Sequence, residues 1–355
     1  MLTITESNAS DYLRASGRIA AGEAIEVCEL AGGVSNAVFL VNLPERNERF
    51  VLKQAREQLR VKDDWRCSLE RIWREALVLS ICGSLLPEPS AASPPPSLVA
   101  RFQPCVPKLL WEDRPNYAYA MTAAPAGHKT WKELLLAGEL PLSLGVATAA
   151  GQMLAALHAG SWQNEAIAAR LDERTFFDQL RLDPYYRTIA KAHGDLAPEI
   201  ARLIESVWTN RWCLVHGDYS PKNLLVWQGR VMLIDFEVGH YGDPAFDLGF
   251  FLTHLVLKGV WAGPSRRSRY LQLAATFWRT YRLALARSIA PDQLESLEAR
   301  MLWNLAGCLL ARVDGKSPVD YLSASQQSEV RELARAWLAA PPRQWEAAQA
   351  ELVGE

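Results

Sequence analysis

The sequence WCLVHGDYSPKNLLVWQGRVMLIDFEVGHYGD, residues 212–243, contains short apolar runs that end in polar side chains. The runs 212–215, 224–227 and 231–234 have the length and composition of buried strands, and Gln228-Gly229 between the last two is typical of a hairpin turn. Carboxylates and an amide at the ends of such strands supply the oxygen ligands that Mg²⁺ prefers. The stretch therefore predicts a hairpin that carries a cation and phosphate site.

The spacing of these polar residues resembles that of the aminoglycoside phosphotransferase and choline kinase superfamily, whose signature is HGDxxxxN followed by a strand ending in ID. Here His216-Gly217-Asp218 precedes Asn223, and Ile234-Asp235 follows. Upstream, residues 32–41 (GGVSNAVFLV) resemble the family's nucleotide-covering hairpin and residues 50–53 (FVLK) its lysine strand. Within the superfamily, the sequence is most similar to the methylthioribose kinase branch.

The distribution of patterns along the chain fits the fold that this resemblance implies. Residues 26–53 alternate as antiparallel strands do, residues 63–85 change to a helical period, and helical patterns dominate after Gly127. We expect an α+β, bilobal, protein-kinase-like fold. Its predicted parts are a β-rich nucleotide-binding lobe (1–122), a hinge (123–127) and a mainly helical lobe for catalysis and substrate binding (128–355).

Asp218 is the predicted catalytic residue. In a loose phosphoryl-transfer transition state the attacking hydroxyl needs alignment, and a carboxylate within hydrogen-bond reach provides it. An HGD triplet alone could equally be a turn, and the chain contains a second copy, His193-Gly194-Asp195. That copy has Ile200 where the asparagine would stand and lies between helical patterns. We therefore interpret Asp195 as a surface or capping carboxylate, and His216 as a residue that shapes its loop through backbone hydrogen bonds.

The resemblance implies that ATP and Mg²⁺ are the cofactors. Asn223 and Asp235 would bind the metal, and Glu237 would join them because alternate residues of an extended chain face the same side. The segment between Asp235 and Asp243 is short and is followed by a helix. We expect Asp243 to cap that helix and Asp247 to be a buried carboxylate that steadies the catalytic loop.

Nucleotide contacts are expected from the first lobe. Lys53 would hold the phosphates together with a glutamate, either Glu75 or Glu70. The loop Gly32, Gly33, Val34, Ser35 and Asn36 would cover the phosphates, because glycines let backbone N–H groups approach oxygen. The adenine would lie near the hinge, at Met121 and Ala123, and the nucleotide would occupy the space between the lobes.

The acceptor is predicted to be a small molecule, because no long peptide-binding segment follows Asp235. Lys222 could stabilise phosphate charge, and Arg312 is a candidate substrate contact, with Asp314 and Asp320 as candidates of opposite charge. The resemblance favours a sugar hydroxyl such as that of methylthioribose. Choline, homoserine and an aminoglycoside remain open alternatives, and so does a non-catalytic nucleotide-binding protein.

Composition limits the remaining possibilities. A net charge of −2 gives no long-range attraction to nucleic acid or to an anionic membrane, so neither is an expected partner. The six cysteines show no CxxC and no histidine-spaced pairs, and therefore signal neither zinc nor a disulfide framework. We expect a cytoplasmic protein, monomeric or homodimeric, that acts on a small-molecule hydroxyl acceptor.

Overall fold

The computed structural model describes residues 1–30, 36–56, 68–86 and 102–354. The predicted phosphate-covering residues Gly32, Gly33, Val34 and Ser35 lie outside these ranges, and so does Cys67. Two compact units are present, residues 1–84 with 106–126 and residues 85–105 with 127–355. Each unit is described by itself below.

The described residues form eleven strands, numbered in chain order. They are β1 (Glu26–Glu29), β2 (Asn36–Leu43), β3 (Glu48–Ala55), β4 (Gln103–Cys105), β5 (Leu109–Asp113), β6 (Ala118–Thr122), β7 (Lys129–Thr130), β8 (Cys213–Val215), β9 (Leu224–Trp227), β10 (Arg230–Leu233) and β11 (His240–Gly242).

The same residues form thirteen α-helices and one π-helix. The helices are α1 (Ala9–Ala15), α2 (Arg71–Leu85), α3 (Trp131–Leu136), α4 (Leu140–Ser161), α5 (Glu165–Arg170), α6 (Thr175–Phe177), α7 (Thr188–Ala192), α8 (Ala197–Thr209), α9 (Pro244–Ala262), α10 (Pro264–Leu285), α11 (Pro291–Asp314), α12 (Ala324–Ala339) and α13 (Trp345–Val353). The π-helix, Asp178–Arg187, lies between α6 and α7.

The first unit is built on an antiparallel sheet with the strand order β1-β2-β3-β6-β5. Alternate residues of these strands, among them Phe39, Val41 and Leu52, pack in one hydrophobic cluster with α1. Because side chains alternate across a strand, Lys53 projects from the opposite face of β3 to Leu52. The sheet thus places a buried lysine next to the chain's first long helix, α2.

The second unit has a helical core in which α4, α9, α10 and α11 pack together. A small sheet, β4-β10-β9-β7, and a strand pair, β11-β8, lie against it. Strand β4 pairs in parallel with β10. Residues 103–105 therefore belong to this unit, although the predicted boundary assigned them to the first lobe.

Two helices of the second unit, α4 and α9, are long and apolar enough to cross a membrane. Most of the apolar window of α9 (89%) is buried within the protein, and the helix carries the ionisable residues Asp247, His254 and Lys258. Burial on all sides explains the hydrophobicity of α9 as that of a core helix.

The α+β fold class, with a small strand-rich N-terminal region and a mainly helical C-terminal region, is confirmed. Residues 175–192 have a helical sequence pattern, but the structure does not form one regular α-helix there, because a π-helix lies between α6 and α7. Pro184 lies inside that segment, has no N–H to donate and cannot continue a regular α-helix.

Candidate active site

Asp218 lies at the centre of a compact polar cluster in the second unit. Its side chain is almost completely buried, and Oδ1 lies 2.8 Å from the Arg181 guanidinium. Oδ2 lies 2.9 Å from the Lys222 ammonium and accepts a hydrogen bond from Asn223 Nδ2 at 2.8 Å. Asn223 Nδ2 also donates to the Asp218 carbonyl at 2.9 Å, which leaves the Asn223 side-chain oxygen available to a cation.

The cations around Asp218 keep it ionised. Burial alone would raise the pKa of Asp218, but Arg181 and Lys222 outweigh burial and hold the pKa below its ordinary value. Burial likewise lowers the pKa of Arg181, whereas Asp218, Tyr185, Glu237 and Asp235 raise it, and the net shift is upward. The pair is therefore charged on both sides at neutral pH.

Gly217 has a positive φ of +75°, a backbone conformation that residues with a side chain rarely adopt. A Cβ atom at this position would lie 2.8 Å from Val238 Cγ1 and 3.0 Å from the Val238 carbonyl oxygen. Arg181 Nε also donates to the Gly217 carbonyl at 2.6 Å. The turn that presents Asp218 thus requires glycine for both its conformation and its packing.

Asp247, on the first turn of α9, fixes the loop before Asp218. Its two oxygens accept hydrogen bonds from the backbone N–H groups of His216 (2.7 Å) and Gly217 (2.8 Å). His158 Nε2 lies 3.4 Å from the same carboxylate. Burial raises the pKa of Asp247, but these partners lower it further than burial raises it. Asp247 is therefore the buried carboxylate that steadies this loop, as expected from the sequence.

His216 has a defined tautomer. Its Nδ1 accepts from the Asp218 backbone N–H at 3.2 Å, so the proton belongs on Nε2, which donates to the Ile234 carbonyl at 3.2 Å. Burial lowers the pKa of His216 despite the nearby carboxylates. The ring therefore links the Asp218 loop to the residue before Asp235.

The hairpin brings the predicted metal ligands to one end. Strands β9 and β10 pair with Leu224 opposite Leu233, and Ile234 N–H donates to the Asn223 carbonyl at 3.0 Å. Asp235 adopts φ +73°, an uncommon conformation for a non-glycine residue that re-aims its side chain. Asn223 and Asp235 are thus neighbours across the end of the hairpin.

The donor set fits magnesium better than a transition metal. Within the described ranges, no three His, Cys, Asp or Glu side chains converge on one point. A cation here would take the carboxylate of Asp235, the amide oxygen of Asn223 and water. Mg²⁺ typically keeps several waters and takes oxygen ligands of this kind. The chain is not extended from Asp235 (φ +73°) to Glu237, which lies in a turn, so the alternation that predicted Glu237 as a further ligand does not hold.

The first unit contains a buried ion pair. Lys53 Nζ lies 2.5 Å from Glu75 Oε1, and Asn36 Nδ2 donates to Glu75 Oε2 at 3.2 Å. Of the two candidate glutamates, Glu75 is thus the one paired with Lys53. Glu70 is exposed and accepts a hydrogen bond from the Tyr117 hydroxyl. Met121 is buried at the end of β6, and Ala123 is half-buried directly after that strand.

The residues predicted to contact the acceptor lie in two different places. Lys222 and Arg312 both line a cavity of about 270 Å³ in the second unit, and Asp320 lies on its rim. Asp314 instead forms an ion pair with Arg331 (2.7 Å) and accepts a hydrogen bond from His193 Nε2 (2.9 Å). Asp243 caps α9 by accepting from the Ala245 N–H and pairs with Arg300 at 2.9 Å, in accordance with the predicted capping role.

Arg181 is the site residue that sequence reasoning missed. It comes from the π-helix, where the sequence shows only a helical pattern with no polar motif. No local signal distinguishes Arg181 from Arg187, the other arginine of this helix, because the contact of Arg181 with Asp218 depends on the irregular turns around Pro184.

Comparisons with known proteins identify the family of this chain. A family model described as "Phosphotransferase enzyme family" matches residues 26–284. The methylthioribose kinase of Pectobacterium atrosepticum is 24% identical to this chain, over 93% of the chain and 90% of that protein. The methylthioribose kinase of Yersinia pseudotuberculosis serotype O:3 is 26% identical, over 82% of this chain and 76% of that protein.

Solved structures show the same fold. A choline kinase from Cryptosporidium parvum Iowa II has a TM-score of 0.57 and 14% identity, covering 99% of each chain. An ethanolamine kinase from Plasmodium vivax has a TM-score of 0.53 and 11% identity, covering 92% of this chain and 86% of that one.

Proposed function

The chain belongs to the phosphotransferase enzyme family, and from that premise we propose that it transfers the γ-phosphoryl group of ATP to a hydroxyl group of a small molecule. The observation that carries this proposal is the position of Asp218, buried between Arg181 and Lys222 and hydrogen-bonded to Asn223.

In the proposed reaction, the bond between the γ-phosphorus and the β–γ bridging oxygen breaks, and a bond from the acceptor hydroxyl oxygen to that phosphorus forms. The products are ADP, the phosphorylated acceptor and one proton. Asp218 accepts a hydrogen bond from the acceptor hydroxyl and so directs the hydroxyl oxygen toward the phosphorus. Because its pKa is lowered, Asp218 aligns the hydroxyl more than it deprotonates it, and the proton leaves late in the transfer.

The remaining predicted residues receive roles that fit this reaction. Lys53, held by Glu75, would bind the nucleotide phosphates, with Met121, Ala123 and the 32–36 loop as further contacts. Asn223 and Asp235 would hold magnesium, which supplies positive charge against the phosphate oxygens when it is bound. Lys222 would neutralise charge on the transferred group.

A sugar hydroxyl is the first acceptor to test, because the chain is similar to methylthioribose kinases over 93% and 82% of its length in the two examples above. The purified protein should gain thermal stability with ATP and Mg²⁺ together, and it should release ADP with an acceptor from a panel of sugars, sugar acids, sugar phosphates, homoserine and choline.

Asp235→Ala provides the matched test of the metal site. We expect this variant to lose the magnesium-dependent part of ATP affinity while keeping the fold, because Asp235 lies at the end of a hairpin rather than in the core. ATP binding that depends on Mg²⁺ equally in the variant and the wild type would contradict the assigned ligands. ATP binding without ADP release for any acceptor would favour a non-catalytic nucleotide-binding protein.

A further inference from the structure

The cavity beside Asp218 is basic. Its wall includes four cationic side chains, Lys132, Lys222, Lys258 and Arg312, and a single carboxylate, Asp320. They come from separate parts of the second unit, since Lys132 lies on α3, Lys258 on α9 and Arg312 on α11. Lys222 connects the cavity to the proposed active site through its 2.9 Å contact with Asp218.

Lys258 is the most informative of these residues. It is 1% exposed, and its only polar contact in the described part of the chain is the His254 carbonyl, at 3.4 Å. Its ammonium also lies 5.6 Å from the centre of the Tyr321 ring. A buried amine without a carboxylate either loses its proton or pairs with an anion, and the position of Lys258 in the wall of a cavity lets an anion reach it from outside.

Other polar groups of the cavity wall lack partners in the same way. Among the described residues, nothing accepts from or donates to the buried His254 Nε2, Tyr321 Oη or Arg312 Nε. Arg312 NH1 contacts Tyr185 Oη at 3.3 Å and Ser317 Oγ at 2.9 Å, and neither of these partners is charged. Buried polar atoms are usually paired, so several of them around one cavity make it suited to a ligand that brings polar or charged groups.

On these observations, and resting on the proposed phosphotransferase function, we propose that the acceptor carries a phosphate or carboxylate group that binds Lys258 and Arg312 while its hydroxyl lies against Asp218. The cavity volume of about 270 Å³ suits a small metabolite rather than a drug-sized molecule. Neither Asp218 nor the predicted metal ligands line the cavity, and Lys222 is the lining residue that contacts Asp218, at 2.9 Å. A cationic acceptor would be repelled by this lining.

The ionisation of Lys258 gives a signature for anion binding. Burial, followed by Lys132 and Arg312, lowers the pKa of Lys258 to about 7. The other groups that face it are His254, on its own helix, and Tyr321, whose pKa burial raises to about 12. An anion in the cavity raises the pKa of Lys258, so anion binding near neutral pH should take up a proton.

Isothermal titration calorimetry with saturating MgADP tests the proposal without knowledge of the natural acceptor. Sulfate represents a phosphate group and malonate a carboxylate, and neither is needed for nucleotide binding. We expect at least one of them to bind the wild-type protein with proton uptake, measured in two buffers of different ionisation enthalpy. Affinity should fall at least tenfold in Lys258→Met and in Arg312→Gln.

Lys191→Met is the matched control, because it removes one positive charge from an exposed position on α7 that does not line the cavity. It should bind the anions as the wild type does. Lys258→Met should fold, since it removes an uncompensated buried charge, and Arg312→Gln repeats the test at a partly exposed position. Absence of binding for both anions, or equal affinity in the wild type and Lys258→Met, would overturn the proposal.

Failure of the underlying function would look different. A protein that does not phosphorylate any acceptor, and does not bind ATP, could still bind sulfate in this cavity. A true kinase for neutral or cationic acceptors would release ADP with them at equal rates in the wild type and Lys258→Met, and it would bind neither anion.

Discussion

The triplet His-Gly-Asp occurs twice in this chain, at 193–195 and at 216–218, and the two copies have different surroundings. In the 216–218 triplet all three residues are buried, and their polar atoms are bonded within the second unit. In the 193–195 triplet Asp195 is 62% exposed and pairs with Arg335 at 2.5 Å. The same three residues therefore form a candidate catalytic loop in one place and a surface turn in the other.

Each triplet is supported by a carboxylate from another helix, and the type of support differs. Asp247 accepts from two backbone N–H groups of the 216–218 triplet and so fixes the path of the main chain. Asp314 contacts only the side chain of His193 and also pairs with Arg331. The hydrogen bonds from the backbone to Asp247 hold the loop that carries Asp218 in one position. Within the residues that the structure describes, Asp314 makes no such contact with the backbone of the 193–195 triplet, and Asp195 pairs with Arg335 at the surface.

Replacing the two aspartates is the strongest test of this comparison. We expect Asp218→Asn to reduce phosphotransfer by about 10²- to 10⁴-fold, because an amide aligns a hydroxyl poorly and cannot accept its proton. Asp195→Asn should keep activity within about twofold of the wild type, since exposed charges away from a site have small effects. ADP release with the best acceptor of the panel measures both variants.

Two controls accompany this pair. MgATP binding should be preserved in Asp218→Asn. Its melting temperature should fall, because buried Arg181 loses its carboxylate partner, so activity is compared at a temperature where both proteins are folded. Wild-type turnover in Asp218→Asn, or an equal loss in Asp195→Asn, would show that the 216–218 triplet is not the one that acts.

Much of this site was readable because its parts are local in sequence. Asn223 precedes β9 and Asp235 follows β10, the two strands of one hairpin, and Asp218 lies only five residues before Asn223. The short apolar runs and the Gln228-Gly229 turn therefore predict that these residues lie close together. The absence of an asparagine after Asp195 was enough to set the second triplet aside. Spacing along the chain does not decide whether Glu75 or Glu70 pairs with Lys53. Glu70 lies directly before α2 and Glu75 lies near its start, so the two are close in sequence.

The parts that sequence did not reveal come from distant segments. Arg181 reaches Asp218 from a π-helix, and the register of that irregular helix depends on tertiary packing around Pro184. Lys258 lies on α9, one of two long apolar helices, where the sequence pattern indicates only a core helix interrupted by one lysine. The basic character of the cavity depends on α3 and α11 lining it together with α9, and the periodicity of hydrophobic residues does not predict this contact.

Asp247→Asn should have the second-largest effect, on stability as well as activity. An asparagine offers one acceptor where Asp247 serves two backbone N–H groups, and the loss of a buried, bonded carboxylate costs about 3–5 kcal/mol. The matched change Asp314→Asn weakens a partly exposed ion pair and should cost about 1 kcal/mol or less. Urea unfolding of both variants gives the two free energies, and similar values would contradict the comparison.

The pH dependence of this difference has a defined sign. The folded-state pKa of Asp247 lies below its unfolded value of about 3.9. A group of this kind contributes stability above the unfolded pKa, and the contribution is lost as the pH falls through the folded pKa. The gap in unfolding free energy between the wild type and Asp247→Asn should therefore be full at neutral pH and narrow below about pH 4. A gap that widens in acid would mean that Asp247 is protonated in the folded protein.

The two glycines give the smallest and most local test. Gly217 has φ +75° and no room for a Cβ atom against Val238, whereas Gly194 has no atom within 4 Å of the corresponding position and does not adopt a positive φ. Gly217→Ala should cost about 2–3 kcal/mol from the left-handed backbone and the contact with Val238 together. Gly194→Ala should be neutral or stabilising by about 0.5 kcal/mol, because alanine reduces the entropy of the unfolded chain. Thermal unfolding compares the two variants directly, and activity at a temperature where both are folded shows whether the strained turn also positions Asp218. Equal melting temperatures would mean that the 216–218 loop has enough freedom to accept a side chain, and the rigid presentation of Asp218 would then have to come from Asp247 and Arg181 alone.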